Sequence, residues 1–160
     1  ALATAEGAIA LAIERTDETL QGANCLVIGN GRIGKVLARK LALLGARVTV
    51  SARRAADFAW IRTEGHTAVH TAEISTVAHE FTLFFNTVPA RVLDAAILER
   101  VKPEAWIFDL ASKPGGVDFD AAQAMGRHVE WALSLPAKIA PRTAAGTVRD
   151  CLYQIMEEQA

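Results

Sequence analysis

Residues 25–54 read CLVIGNGRIGKVLARKLALLGARVTVSARR, and the order of features within them decides the fold. Cys25, Leu26, Val27 and Ile28 form a short continuous apolar run, which suits a strand at 24–28 covered on both faces in a parallel sheet. Gly29-Asn30-Gly31-Arg32-Ile33-Gly34 follows, a G-x-G-x-x-G string. Apolar residues then recur at Val36, Leu37, Leu41 and Leu44, predicting a helix over 35–44 that stops at Gly45. A second, β-branched strand is expected at 47–50. Glycines cluster in many turns, but a glycine string between a buried strand and a helix has the context of a dinucleotide fingerprint.

Each glycine then has its own expected job. Gly29 permits the tight turn, Gly31 lets the backbone approach a pyrophosphate, and Gly34 lets the helix lie close on the sheet. The free N–H groups at the helix start meet the negative charge. The alternative is a tight strand-to-helix turn with no ligand.

The second strand of such a unit usually carries an acid about 20 residues after the fingerprint, where it accepts hydrogen bonds from the adenosine ribose 2′-hydroxyl. Here the strand runs out as Val50-Ser51-Ala52-Arg53-Arg54, with no carboxylate. A guanidinium grips phosphate oxygens in pairs and a serine hydroxyl donates to them, so Ser51, Arg53 and Arg54 point to a 2′-phosphate and to NADP rather than NAD. The other reading makes both arginines solvated charges at the start of a second helix.

Outward from this unit, helical spacing at Ala5, Ala8, Ile9, Ala12 and Ile13 predicts an amphipathic helix over 4–15. Further helices are expected at 55–64, stopped by Gly65, at 92–101 and at 143–157, and further strands at 67–69, 81–85, 106–110 and 128–133. This alternation predicts an α/β domain, a doubly wound, mostly parallel sheet of the Rossmann type. A chain of 160 residues, 51% of them apolar, suffices for one such core. The absence of an initiating methionine suggests a piece of something longer.

The formal net charge is −1 and no run of five basic residues occurs, so no nucleic-acid or anionic-membrane partner is expected. Apolar runs fall short of the roughly 18 residues a membrane span needs. Cys25 and Cys151 form no CxxC pair, and a reducing cytoplasm is expected. His66, His70, His79 and His128 lack spaced ligand partners, so no metal is expected and all four read as structural or exposed. No G-x-S-x-G elbow supports a serine hydrolase. Trp60, Trp106 and Trp131 read as core or interface.

Ligands of such sheets bind beyond the carboxyl ends of the strands, so the later loops should face the nicotinamide half. Asn86-Thr87-Val88-Pro89 offers a polar pair and a proline, and is otherwise simple turn chemistry. Residues 109–118, DLASKPGGVD, concentrate hydroxyl, ammonium, carboxylate and a Gly115-Gly116 pair that can approach a small polar substrate, or make a surface turn.

GNGRIGKVLARKLALLGARVTVSAR at 29–53, FFNTVPARVLD at 84–94, IFDLASKPGGVDF at 107–119 and ALSLPAKIAPRTAAG at 132–146 together resemble the C-terminal nucleotide-binding domain of the dipicolinate synthase family, specifically of its A subunit, over nearly the whole chain from TAEGAIALAI at 4–13. The resemblance implies an NADP-dependent oxidoreductase of sporulating bacteria. It would convert the cyclic product of dihydrodipicolinate synthase into dipicolinate, in the mother-cell cytoplasm, with the flavoprotein-like B subunit of dipicolinate synthase as partner. It further implies that Gly29, Asn30, Gly31, Arg32, Ile33 and Gly34 cradle the pyrophosphate, with Ser51, Arg53 and Arg54 at the 2′-phosphate. Asn86, Thr87 and Pro89 would lie by the nicotinamide ribose. Ala111, Ser112, Lys113, Gly115 and Gly116 would border nicotinamide and substrate, with Lys138 and Thr143 facing the same cleft. Aromatising a reduced ring needs a base and a clamp for a small dicarboxylate. Lys113, Lys138 or Arg142 suits the clamp, and Ser112, Lys113 and Lys138 are the catalytic candidates, with the base left open.

Ala137 departs from the family pattern, where glycine is expected. The family chain also has an N-terminal substrate domain. Residues 1–17 are therefore expected as a leading helix linked to it, and 18–160 as the dinucleotide-binding domain. Having no certain partner, the helix at 4–15 is expected to pack on another domain or on a second copy, in a homo-oligomer. Two other functions fit the fingerprint. A D-2-hydroxy-acid dehydrogenase needs an Arg, Glu and His in fixed places, and Arg127, His128 and Glu130 lack that loop context. A nucleotide-sensing regulatory domain usually keeps the ribose acid.

Overall fold

Alternate side chains of the central strands feed two separate cores, which is why these strands are apolar on both faces up to their polar ends. The computed structural model describes residues 1–158, so the last two positions of the domain expected over 18–160 lie outside the described residues. The chain runs α1 (Leu2–Arg15), β1 (Asn24–Ile28), α2 (Arg32–Leu43), β2 (Arg47–Ala52), α3 (Ala55–Thr63), β3 (Thr67–His70), α4 (Ile74–Val77), β4 (Leu83–Asn86), α5 (Ala95–Arg100), β5 (Trp106–Asp109), α6 (Phe119–Ala124), β6 (His128–Trp131), α7 (Leu135–Ile139) and α8 (Pro141–Glu158). The six strands form one sheet in the order β3-β2-β1-β4-β5-β6, and every neighbouring pair is parallel. The expected doubly wound sheet is present.

Cys25, Val27, Phe85 and Phe108 face a core shared with α1, α2 and Ile61 of α3, while Leu26, Ile28, Phe84 and Ile107 face a core shared with α4, α5 and α6. Phe85 and Phe108 stack with ring centroids 5.4 Å apart in the first core. Burying such a ring contributes about 1.5–3 kcal/mol, and truncating one to alanine costs about 3–5 kcal/mol. Burial also pushes the Cys25 thiol up to about 12, so it behaves as a small apolar side chain. Among the described residues no helix is long and apolar enough to cross a membrane.

Several expected details change. The helix at 4–15 finds its partners within this chain: Ala5, Ala8 and Ala12 are fully buried in the first core, Lys40 of α2 pairs with Glu6 at 2.9 Å, and Arg15 pairs with Glu130 of β6 at 2.7 Å. Its buried stripe includes Leu11, while Ile13 is 55% exposed. The α2 helix begins at Arg32, because Gly31 is its N-cap and the Lys35 N–H already donates to the Gly31 carbonyl at 3.0 Å. Leu44 lies beyond that helix and is exposed.

The β2 strand continues to Ala52, so Ser51 and Ala52 are ladder residues. The β4 strand is shifted to include Asn86. Residues 92–93 are extended, with Leu93 bridging Val117, and α5 starts only after Asp94, whose carboxylate accepts from the Ile97 N–H at 3.0 Å. The β6 strand ends at Trp131, ahead of the left-handed Ser134.

Candidate functional site

The reversal of strand order at β1 opens a crevice. Its two central strands, β1 and β4, send their following loops to opposite sides, as in doubly wound sheets that bind ligands at this point. On one side stands the glycine turn. Gly29 has φ of +100°, and a Cβ there would meet Thr87 Oγ1 at 2.7 Å. A Cβ on Gly34 would collide with the Gly29 carbonyl oxygen, so the start of α2 lies hard against the turn.

Gly31 is different. Its backbone is extended at φ −82°, ψ −168°, a conformation any residue adopts, and a Cβ there would meet nothing within 4 Å. Neither backbone geometry nor packing inside the chain calls for glycine at 31. A ligand approaching the free N–H groups of α2 does.

The corner after β2 completes this side. The Gly29 N–H donates to the Ser51 carbonyl at 3.1 Å, tying turn to corner. Arg53 and Arg54 are exposed, whereas Ser51 is wholly buried and its Oγ has no hydrogen-bond partner among the described residues. Two of the three residues expected at a 2′-phosphate thus present their side chains to solvent. Arg54 Nε donates to Asp57 Oδ2 at 2.9 Å, and Asn30 Nδ2 donates to Asp57 Oδ1 at 3.3 Å. The Arg54 guanidinium, chiefly through that hydrogen bond, holds the Asp57 carboxyl below the usual carboxylate range. Asp57 was missed in the sequence, although Arg and Asp three apart at a helix start face one another.

The other side is built on a buried polar pair. Asn86 and Asp109, the last residues of β4 and β5, stand opposite each other in register and are both 0% exposed. Asn86 Nδ2 donates to Asp109 Oδ1 at 2.8 Å, and the backbone N–H groups of Ala111 and Gly116 donate to Asp109 at 3.1 and 2.7 Å. Asn86 also accepts from the Val88 N–H at 3.1 Å. These bonds fold both loops onto one point. A Cβ on Gly116 would collide with Asn86 Nδ2, and one on Gly115 would meet Asp109 Oδ2 at 2.8 Å. The glycine pair is therefore required by close packing on Asn86 and Asp109. Trp131 Nε1 donates to the Ala111 carbonyl at 3.0 Å and steadies the same loop.

Within that frame Thr87 bonds back to the Ile28 carbonyl through its Oγ1 at 2.8 Å, joining the two sides. Pro89, Ser112 and Lys113 are exposed, and Ala111 is buried. The structure thus brings the glycine turn, Asn86, Thr87 and the 109–118 loop to one edge of the sheet. Lys138 lies in α7 and Thr143 in α8, both exposed, and no hydrogen bond among the described residues joins either to these loops. Of the tryptophans, Trp106 and Trp131 stack on His128 and Phe119, whereas Trp60 is 51% exposed with Lys35 Nζ 5.6 Å from its ring centroid.

Comparison with known proteins agrees with this geometry. Residues 19–121 match the model of the family described as "Putative NAD(P)-binding". The chain is 39% identical over 155 residues to the A subunit of dipicolinate synthase from Bacillus subtilis, covering 97% of this chain and 52% of that protein. It superposes on the crystal structure of the A chain of dipicolinate synthase from Bacillus subtilis with a TM-score of 0.95 at 38% identity, covering 98% of this chain and 52% of that one. On the corresponding crystal structure from Bacillus halodurans the TM-score is 0.94 at 39% identity, with 96% and 53% covered. The resemblance read from the sequence is borne out, and the chain spans about half the length of the relatives it matches.

Proposed function

The chain belongs to this NAD(P)-binding family, and from that premise we propose that it is the cofactor-holding part of an NADP-dependent oxidoreductase of the dipicolinate synthase kind. In this reading it oxidises the reduced cyclic product of dihydrodipicolinate synthase to dipicolinate in the mother-cell cytoplasm of a sporulating bacterium. It acts as a homo-oligomer, together with the B subunit and with a substrate-binding part. The observation that carries the cofactor reading is Gly31, a glycine facing open space whose absent side chain leaves room for a ligand.

Making an aromatic pyridine from a reduced ring removes a hydride, which the nicotinamide accepts, and a proton from carbon. The chain's own residues bind and orient. The N–H groups at the start of α2 meet the pyrophosphate across Gly29, Asn30, Gly31, Arg32, Ile33 and Gly34. Arg53 and Arg54 take the 2′-phosphate beside Ser51. Asn86 and Asp109 hold the loops in place, so that Thr87 and Pro89 lie by the nicotinamide ribose and Ala111, Ser112, Lys113, Gly115 and Gly116 border the reacting ring. Lys113, Lys138 and Arg142 supply cations for the two substrate carboxylates, with Thr143 beside them.

Titration calorimetry with NADPH and NADH at moderate salt tests this reading. NADPH is expected to bind at least about tenfold more tightly, a difference of about 1.4 kcal/mol. Equal or tighter binding of NADH would reject NADP as the cofactor.

A further inference from the structure

We infer that Asp57 is a positioning residue for cofactor choice, setting the Arg54 guanidinium at a fixed distance from the phosphate-binding turn; the inference rests on the NADP reading above. Arg54 is the group a 2′-phosphate needs, yet its side chain is 81% exposed and belongs to a residue type with many rotamers. An unrestrained arginine there loses that freedom when it binds. Asp57 removes part of the cost in advance. Its Oδ2 accepts from Arg54 Nε at 2.9 Å and its Oδ1 lies 3.5 Å from Arg54 Nη2, so the guanidinium is held along one edge and its other donors stay free.

The second contact of Asp57 gives this hold its meaning. Asn30, between the first two fingerprint glycines, donates to Asp57 Oδ1 at 3.3 Å. Pyrophosphate turn, carboxylate and guanidinium therefore form one chain of hydrogen bonds. In NADP the pyrophosphate and the 2′-phosphate are separated by a single ribose, so a protein that fixes the distance between their two receptors favours that ligand before it arrives.

A carboxylate this close to a phosphate site also repels the phosphate, and geometry decides which effect prevails. The Asp57 side chain is only 17% exposed and both of its oxygens are engaged. Its charge faces Arg54 and Asn30, so the ordering of Arg54 outweighs the repulsion. The ribose acid missing from the end of β2 is thus not replaced in kind: the Asp57 carboxylate, in α3, serves the arginine.

The test is a double-mutant cycle read as dissociation constants for NADPH and NADH. Asp57→Ala is expected to weaken NADPH about tenfold and NADH less than about twofold, and to add nothing once Arg54→Ala is present. Arg54→Lys serves as a second variant at an exposed position. It keeps the charge but lacks the Nε donor, and is expected to lose most of the preference for NADPH. Tighter NADPH binding by Asp57→Ala, equal losses for both cofactors, additivity with Arg54→Ala, or an undiminished preference in Arg54→Lys would each overturn the inference. If the unaltered chain prefers NADPH and only these variants misbehave, the positioning role fails alone. If the unaltered chain prefers NADH, the NADP reading fails first and the positioning role falls with it.

Discussion

The crevice is bounded by two glycine-bearing segments that look alike as strings and differ in what their glycines face. In the turn at 29–34, a side chain on Gly31 would enter open space at the start of α2. In the loop at 109–118, side chains on Gly115 and Gly116 would run into Asp109 and Asn86. Gly31 keeps room for something outside the chain, whereas Gly115 and Gly116, like Gly29 and Gly34, keep room for the chain itself. A glycine thus indicates a ligand only when backbone conformation and internal packing have both been accounted for.

Three substitutions test that contrast. The largest effect is expected from Asp109→Ala, which leaves the Ala111 and Gly116 N–H groups without their acceptor and the Asn86 amide with only the Val88 carbonyl. A loss of about 3 kcal/mol, or roughly 6–12 °C in melting temperature, should follow, and calorimetric melting checks it. Next comes Gly116→Ala, whose extra methyl has to displace Asn86, at about 1–3 kcal/mol in a urea titration. Gly31→Ala should change stability by less than about 1 kcal/mol while weakening NADPH roughly tenfold or more. Unfolding as severe as that of Gly116→Ala would break the contrast; unchanged NADPH affinity would remove the ligand from it.

How much of this was legible in the sequence follows the same division. The central strands, the glycine turn and the stop at Gly45 could be read because buried parallel strands and helix boundaries leave local signals. Asn86 was read as a loop residue because a polar side chain at a strand end looks like a turn, and only its pairing with Ile28 of β1 and Asp109 of β5, both distant in sequence, makes it a ladder residue. Asp57 was overlooked because its tie to the phosphate-binding turn comes from Asn30, 27 residues earlier in sequence and beside it only in the fold. The α6 helix was missed despite a usable signal: Asp118 caps it by accepting from the Ala121 N–H at 3.1 Å. The burial of Ser51 could not be read, since it depends on the β2 ladder running on to Ala52.

The strand order has a consequence for how the chain is made. Because β1 lies in the middle, a ribosome delivers the sheet from its centre outward: β2 and β3 build one wing, and only then does β4 arrive to close the other flank of β1. Until residues 83–86 emerge, Leu26 and Ile28 lie along an unpaired edge and have only α4 of the three helices that cover their face. The nascent half-sheet is therefore the moment of greatest exposure to aggregation. The α1 helix, synthesised before the strands of this sheet, is by then available to cover the opposite face.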